Sequence, residues 1–145
     1  MASITKRPDG HWRARYRDAT GKEHARHFAR KVDAQTWLDS VTTAVRTGSY
    51  VDPARSRVTV GDLATPWING KVSLKPTTRA LYESVLSTHV LPRWRDTYLT
   101  QVEHGDVQVW AAQLVASGLS PGHVRKAHGV LSGILGLAVR DRRLP

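Results

Sequence analysis

Six consecutive residues set the first constraint: Trp12, Ala14 and Tyr16 alternate with Arg13, Arg15 and Arg17. Successive side chains of a strand point to opposite faces, so a period of two sorts aromatic and small residues onto one face and three guanidinium groups onto the other. Asp18-Ala19-Thr20-Gly21 follows with turn chemistry, Gly21 being free to take positive φ. Glu23 to Phe28 are expected to return as a second strand. Ser3 to Arg7, ahead of the Pro8-Asp9-Gly10 turn, fit a shorter one. On the return strand Phe28 shares parity with Arg26 and His24, which leaves two readings open: a bulge, or two polar residues at the edge of the core.

From Arg30 the period changes. Ala34, Trp37, Leu38, Val41 and Val45 fall on one helical face, and Gly48 is a natural stop. Neither a small sheet nor one helix buries its apolar face alone, so Trp12, Tyr16 and Phe28 are expected to pack on this helix. The opposite face then presents Arg13, Arg15 and Arg17. Three like charges on one strand face repel each other, and a polyanion relieves the repulsion; a solvated cationic face is the competing account. Strands enter the major groove of DNA, where arginine reaches guanine edges or phosphates.

Residues 47–57 lack either period and read as a linker (49–58) between a sheet domain (1–48) and a helical domain (59–145). In the second domain Thr59 and Asp62 suggest a capping box. Leu63, Trp67 and Ile68 continue a helix that Asn69-Gly70 ends. Pro76 opens a second helix with Leu81, Tyr82, Val85 and Leu86 inward and Pro92 as its close, and Trp94 is expected in the core. A third helical region is expected from about Thr100, with Val107, Trp110, Ala111, Leu114 and Val115 as its stripe and Gly118 as its stop. Ser120-Pro121 caps and starts the last helix, whose face is Val124, Ala127, Leu131, Ile134 or Leu135, and Ala138. The fold class is α+β: a three-stranded antiparallel sheet plus helix, then four helices. Gly129, Ser132, Gly133 and Gly136 on the last helix suit close packing in the bundle or close approach of a nucleic-acid backbone.

The formal charge is +10, from 22 Lys and Arg against 12 acids, and both halves are basic. That balance favours a polyanion through attraction and counterion release. No cysteine is present, which excludes disulfides, thiolate zinc sites and cysteine nucleophiles. No run of eighteen apolar residues and no signal-type core occur, so no membrane partner and a cytoplasmic location are expected. The seven histidines and the acids form no close metal-ligand pattern such as HExxH. No metal, cofactor or catalytic residue is expected. Two further clusters suit phosphate gripping and base contact: Lys75, Thr77, Thr78 and Arg79 at a helix N-terminus, and His123, Arg125 and Lys126 off the apolar stripe of the last helix.

The order of these pieces resembles the N-terminal half of a phage-type tyrosine recombinase. Trp12-Arg13-Ala14-Arg15-Tyr16, the return to Phe28 and the Ala34 to Trp37-Leu38 helix look like the AP2-like arm-binding domain of phage integrases. Lys75-Pro76-Thr77-Thr78-Arg79, Tyr82, Leu91-Pro92, Asp106-Val107-Gln108, Trp110, Leu119-Ser120-Pro121 and His128-Gly129-Val130-Leu131 look like the SAM-like core-binding domain. The resemblance implies double-stranded attachment-site DNA as partner, arm sites read by Arg13, Arg15 and Arg17 and core sites by the other two clusters. It also implies a tetramer on DNA for the parent enzyme, a monomeric isolated chain, phage or prophage coding in a bacterial host, and a catalytic tyrosine domain placed after Leu144-Pro145. A stand-alone regulator that competes for attachment sites is the alternative.

Overall fold

The computed structural model describes residues 2–145. It divides into a first compact unit ending at Tyr50 and a second, Val51–Pro145.

The first unit is a three-stranded antiparallel sheet in the order β1-β2-β3 (Ser3–Lys6, Trp12–Arg17, Glu23–Phe28) with one helix, α1 (Lys31–Thr47). The alternation of the middle strand does what its period demands. Ala14 and Tyr16 are buried with Ala34 and Leu38 of α1, and Ile4, Trp12, Phe28 and Trp37 pack around them. Gly48, at φ 75°, ends α1 in a left-handed cap whose N–H groups close on its last carbonyls.

The return strand pairs without a bulge, with Trp12 opposite Phe28, Ala14 opposite Arg26 and Tyr16 opposite His24. The two polar residues therefore stay on the helix-facing side. Each is accommodated through its flat group: the His24 ring stacks on Tyr16 at 5.0 Å, and the Arg26 guanidinium lies 5.3 Å from the Phe28 ring. Tyr50, expected in a linker, belongs to this core; its hydroxyl is 2.8 Å from that of Tyr16. Residues 49–58 also hold a short helical element. Asp52 caps a single helical turn, α2 (Pro53–Ser56), by accepting from the Ala54 N–H at 2.9 Å.

The second unit is all-helical. Its long elements are α3 (Val60–Asn69), α4 (Pro76–Val85), α6 (His104–Ala116) and α7 (Pro121–Arg140). Thr59 and Asp62 make the full capping box: Thr59 Oγ1 accepts from the Asp62 N–H at 3.1 Å and Asp62 Oδ2 from the Thr59 N–H at 3.0 Å. Pro66 removes one rung inside α3. The helix still runs to Asn69 because Val60, Leu63, Ala64, Trp67 and Ile68 are all buried. Ser120 caps α7 and Pro121 starts it.

Pro92 does not close the second helix as expected. The chain passes from α4 through a π-helical turn, Leu86–Val90, into a further turn, α5 (Leu91–Trp94), with Pro92 near its start. A proline ring crowds the carbonyl four residues back and donates nothing to it. Here the ladder widens just before it, and the Leu91 N–H reaches the Leu86 carbonyl. Trp94 is thereby carried into the core, fully buried, with its ring edge-on to Trp110 at 5.9 Å.

Two more expectations are corrected. The region at Thr100 forms a 3-10 turn (Leu99–Gln101), and α6 starts only at His104, which puts Gly105 in its first turn. Val115 is no part of the buried stripe: it is 56% exposed, while Trp110 is the buried anchor. Among the described residues no helix is long and apolar enough to cross a membrane.

Candidate nucleic-acid interface

Arg13, Arg15 and Arg17 emerge together on the sheet face away from α1. They occupy the middle strand, so neighbours flank them on one or both sides: Thr5 and His27 beside Arg13, Ser3 and Ala25 beside Arg15, and Glu23 opposite Arg17.

The three are not equivalent. Glu23 shares their face, with Oε1 3.9 Å from Arg15 Nη1 and Oε2 3.5 Å from Arg17 Nη2. Arg17 also donates to the Gly21 carbonyl at 3.1 Å. Arg13 forms no such ion pair among the described residues, and its buried Nε has no hydrogen-bond partner. The face thus carries one arginine without a carboxylate and two leaning on a shared one. The sequence does not pair Glu23 with Arg15 and Arg17, because a cross-strand partner depends on register.

The turn behind this face is fixed by Asp18. Its Oδ1 accepts from Thr20 Oγ1 at 2.6 Å, the Thr20 N–H at 2.9 Å and the Lys22 N–H at 3.1 Å, while Oδ2 lies 2.9 Å from His24 Nε2. The Thr20 hydroxyl, the His24 ring and then the two backbone donors hold its carboxyl well below the usual carboxylate range.

In the second unit the two sequence clusters are placed on different helices with different degrees of freedom. Lys75 is the N-cap of α4 and, like Thr77, is exposed; Thr78 and Arg79 are half-buried. Arg79 is already engaged, its Nε donating to Glu83 Oε1 and its Nη2 to Asn69 Oδ1, both at 2.9 Å. It ties α4 to the end of α3, which leaves Lys75 and Thr77 as the open groups of that cluster. On α7, His123 Nδ1 lies 3.1 Å from the Ser120 capping hydroxyl. Arg125 and Lys126 are exposed and line a groove of about 340 Å³ with Trp67, Lys71, Tyr82, Gly129, Val130 and Gly133. Lys75, Thr77, Thr78, Arg79 and His123 do not line it. Lys71 was missed because it follows Gly70 in a stretch that carries no period.

The glycines of α7 divide as well. A Cβ on Gly133 would stand 2.7–2.9 Å from the Trp67 indole, so this position is a packing contact between α3 and α7. One on Gly129 would meet nothing within 4 Å, and one on Gly136 only Arg140 Nη1 at 3.5 Å.

Residues 2–47, which hold the three-stranded sheet and its helix, match the family model described as phage integrase, N-terminal domain. The matched part is the non-catalytic N-terminal region of the family. Over 139 residues the chain is 26% identical to the "Putative prophage phiRv2 integrase" of Mycobacterium tuberculosis, in the strains CDC 1551 / Oshkosh and ATCC 25618 / H37Rv. These matches cover 91% of this chain and 36% of each relative, so the chain spans about a third of their length. Its fold is similar to that of a solved lambda integrase, reported as a tetramer bound to a Holliday junction. The TM-score is 0.56 at 17% identity, over 98% of this chain and 42% of that one.

Proposed function

We propose that this chain binds double-stranded attachment-site DNA as the N-terminal part of a site-specific tyrosine recombinase and supplies address and grip, with strand cleavage belonging to another part of the parent enzyme. The observation that carries the reading is the outer sheet face, on which Arg13, Arg15 and Arg17 alternate along the middle strand with the packed residues. An AP2-like sheet of this kind lays its central strand in the major groove, where guanidinium groups span phosphates and guanine edges. Arm-type sites are assigned to this face.

Core-type sites are assigned to a SAM-like second unit. Lys75 and Thr77 at the start of α4, and Arg125 and Lys126 on α7, are its contact residues; Thr78, Arg79 and His123 support them. A tetramer on DNA is the assembly of the parent enzyme, by analogy with the lambda integrase structure, and the isolated chain is a monomer. Similarity to prophage integrases supports phage or prophage coding and action in the bacterial cytoplasm.

The test is binding to labelled arm-type, core-type and scrambled duplexes at two salt concentrations. Replacing Arg13 and Arg15 by Ala is expected to abolish the arm complex and spare the core complex. Equal, weak binding of the unaltered chain to all three duplexes would contradict site-specific recognition.

A further inference from the structure

The groove on the second unit holds an arrangement that the α4 and α7 clusters alone do not explain. Its walls bring three cations together, Lys71, Arg125 and Lys126, and no acid lines it. Two other grooves on the same unit differ in this respect, one carrying Glu103 and the other Asp62 and Asp96. Lys71 is held without a carboxylate: its Nζ sits 4.8 Å from the centre of the Trp67 ring. An indole face fixes an ammonium by its quadrupole while leaving the full positive charge for an anion.

That indole is itself held. Trp67 is 7% exposed, packs edge-on to Tyr82 at 5.9 Å and rests against Gly133, where no Cβ fits. Gly129 borders the same groove, and a Cβ there would project into open space. One glycine therefore seats the platform and the other leaves the groove clear.

We propose that this groove is a phosphodiester-binding site in which Lys71, fixed on Trp67, is a third backbone contact beside Arg125 and Lys126. The inference rests on the DNA reading given above and adds a residue and a role to it. Lys71 makes a point-charge contact with a phosphate and reads no base. Its contribution is uniform across sequences and appears in the salt dependence of binding.

The experiment uses the full chain and fluorescein-labelled 20-base-pair duplexes of several unrelated sequences, titrated over a series of salt concentrations. Lys71→Gln is expected to weaken binding by a similar factor on every duplex, on the order of 3- to 10-fold, and to lower the log–log salt slope by about 0.9. Lys71→Arg should restore the slope. Gly129→Leu, which fills the groove and leaves every cation in place, should weaken binding too. Unchanged thermal unfolding of K71Q separates a lost contact from a lost fold. K71Q with the affinity and slope of the unaltered chain, on duplexes that R125Q releases, would overturn the role of Lys71 and leave the DNA reading standing. An effect confined to one sequence would overturn the backbone assignment. Absence of any duplex binding by the unaltered chain would remove both.

Discussion

Arg17 and Glu23 face each other across β2 and β3, with guanidinium and carboxylate 3.5 Å apart on the sheet face that carries the other two arginines. A carboxylate there opposes any phosphate that approaches and keeps Arg15 and Arg17 partly occupied. Glu23→Gln is therefore expected to raise affinity for scrambled duplex more than for a specific one and to steepen the salt slope by about one to two units. Stability should move by less than about 1 kcal/mol, because the pair is largely solvated. Parallel titrations of the two duplexes, with thermal unfolding of both proteins, check this. An unchanged specificity ratio would show that Glu23 exerts no discrimination.

The contrast between Gly133 and Gly129 gives a stability test on one helix. Gly133→Ala forces its methyl to within 2.9 Å of the Trp67 ring. The gain in helix propensity, about 1 kcal/mol, is set against an overpacking cost of about 1–3 kcal/mol, and net destabilisation is expected. Gly129→Ala has open space and should stabilise by about 0.5–1 kcal/mol. Denaturant unfolding of the two variants should move the midpoint in opposite directions.

Asp18 makes the stability of the first unit depend on pH in a defined sense. Its pKa is lowered in the folded chain from an ordinary 3.8, first by the Thr20 hydroxyl and then by His24. A depressed carboxylate stabilises fully above its unfolded value, and that contribution is lost progressively as pH falls below it. Asp18→Asn should thus lower the unfolding temperature near neutral pH, with the gap to the unaltered chain narrowing below pH 3.8. Unfolding followed across pH 2 to 7 measures the gap; a constant difference would count against the ionised form as the source.

Thr59→Ala removes the acceptor for the Asp62 N–H and keeps only the reciprocal bond, from the backbone N–H of residue 59 to Asp62 Oδ2. A loss of about 1 kcal/mol is expected. Hydrogen exchange of the first α3 amides should rise in the same variant, and an unaltered exchange pattern would show the cap to be redundant.

Where sequence reading succeeded, a strict period met a buried partner. The β2 alternation, the α7 stripe beginning at Ser120 and the stop at Gly48 are local signals that tertiary packing reinforces. It failed where the deciding contact is cross-strand or cross-helix. Arg26 and His24 sit on the apolar parity because a guanidinium and an imidazole stack on Phe28 and Tyr16. Tyr50 looked like linker because its partners, Tyr16 and His24, lie 34 and 26 residues back. Lys71 becomes notable only once Trp67 is beneath it. Of the candidate contact residues, the strand arginines were found as a set; nothing in the sequence marked Arg79 as already bound to Glu83 and Asn69.

The widened turn at Leu86–Val90 spans one residue more per hydrogen bond than the helices on either side. It acts as a phase correction, delaying the winding so that Val85, Leu86, Val90 and Trp94 all end on the inner side of one rod. Chain length is consequently more forgiving there than elsewhere in the bundle. Deleting one residue within the turn can be absorbed by tightening it to ordinary helix, whereas a deletion in α7 would swing its buried and cationic faces out of register together.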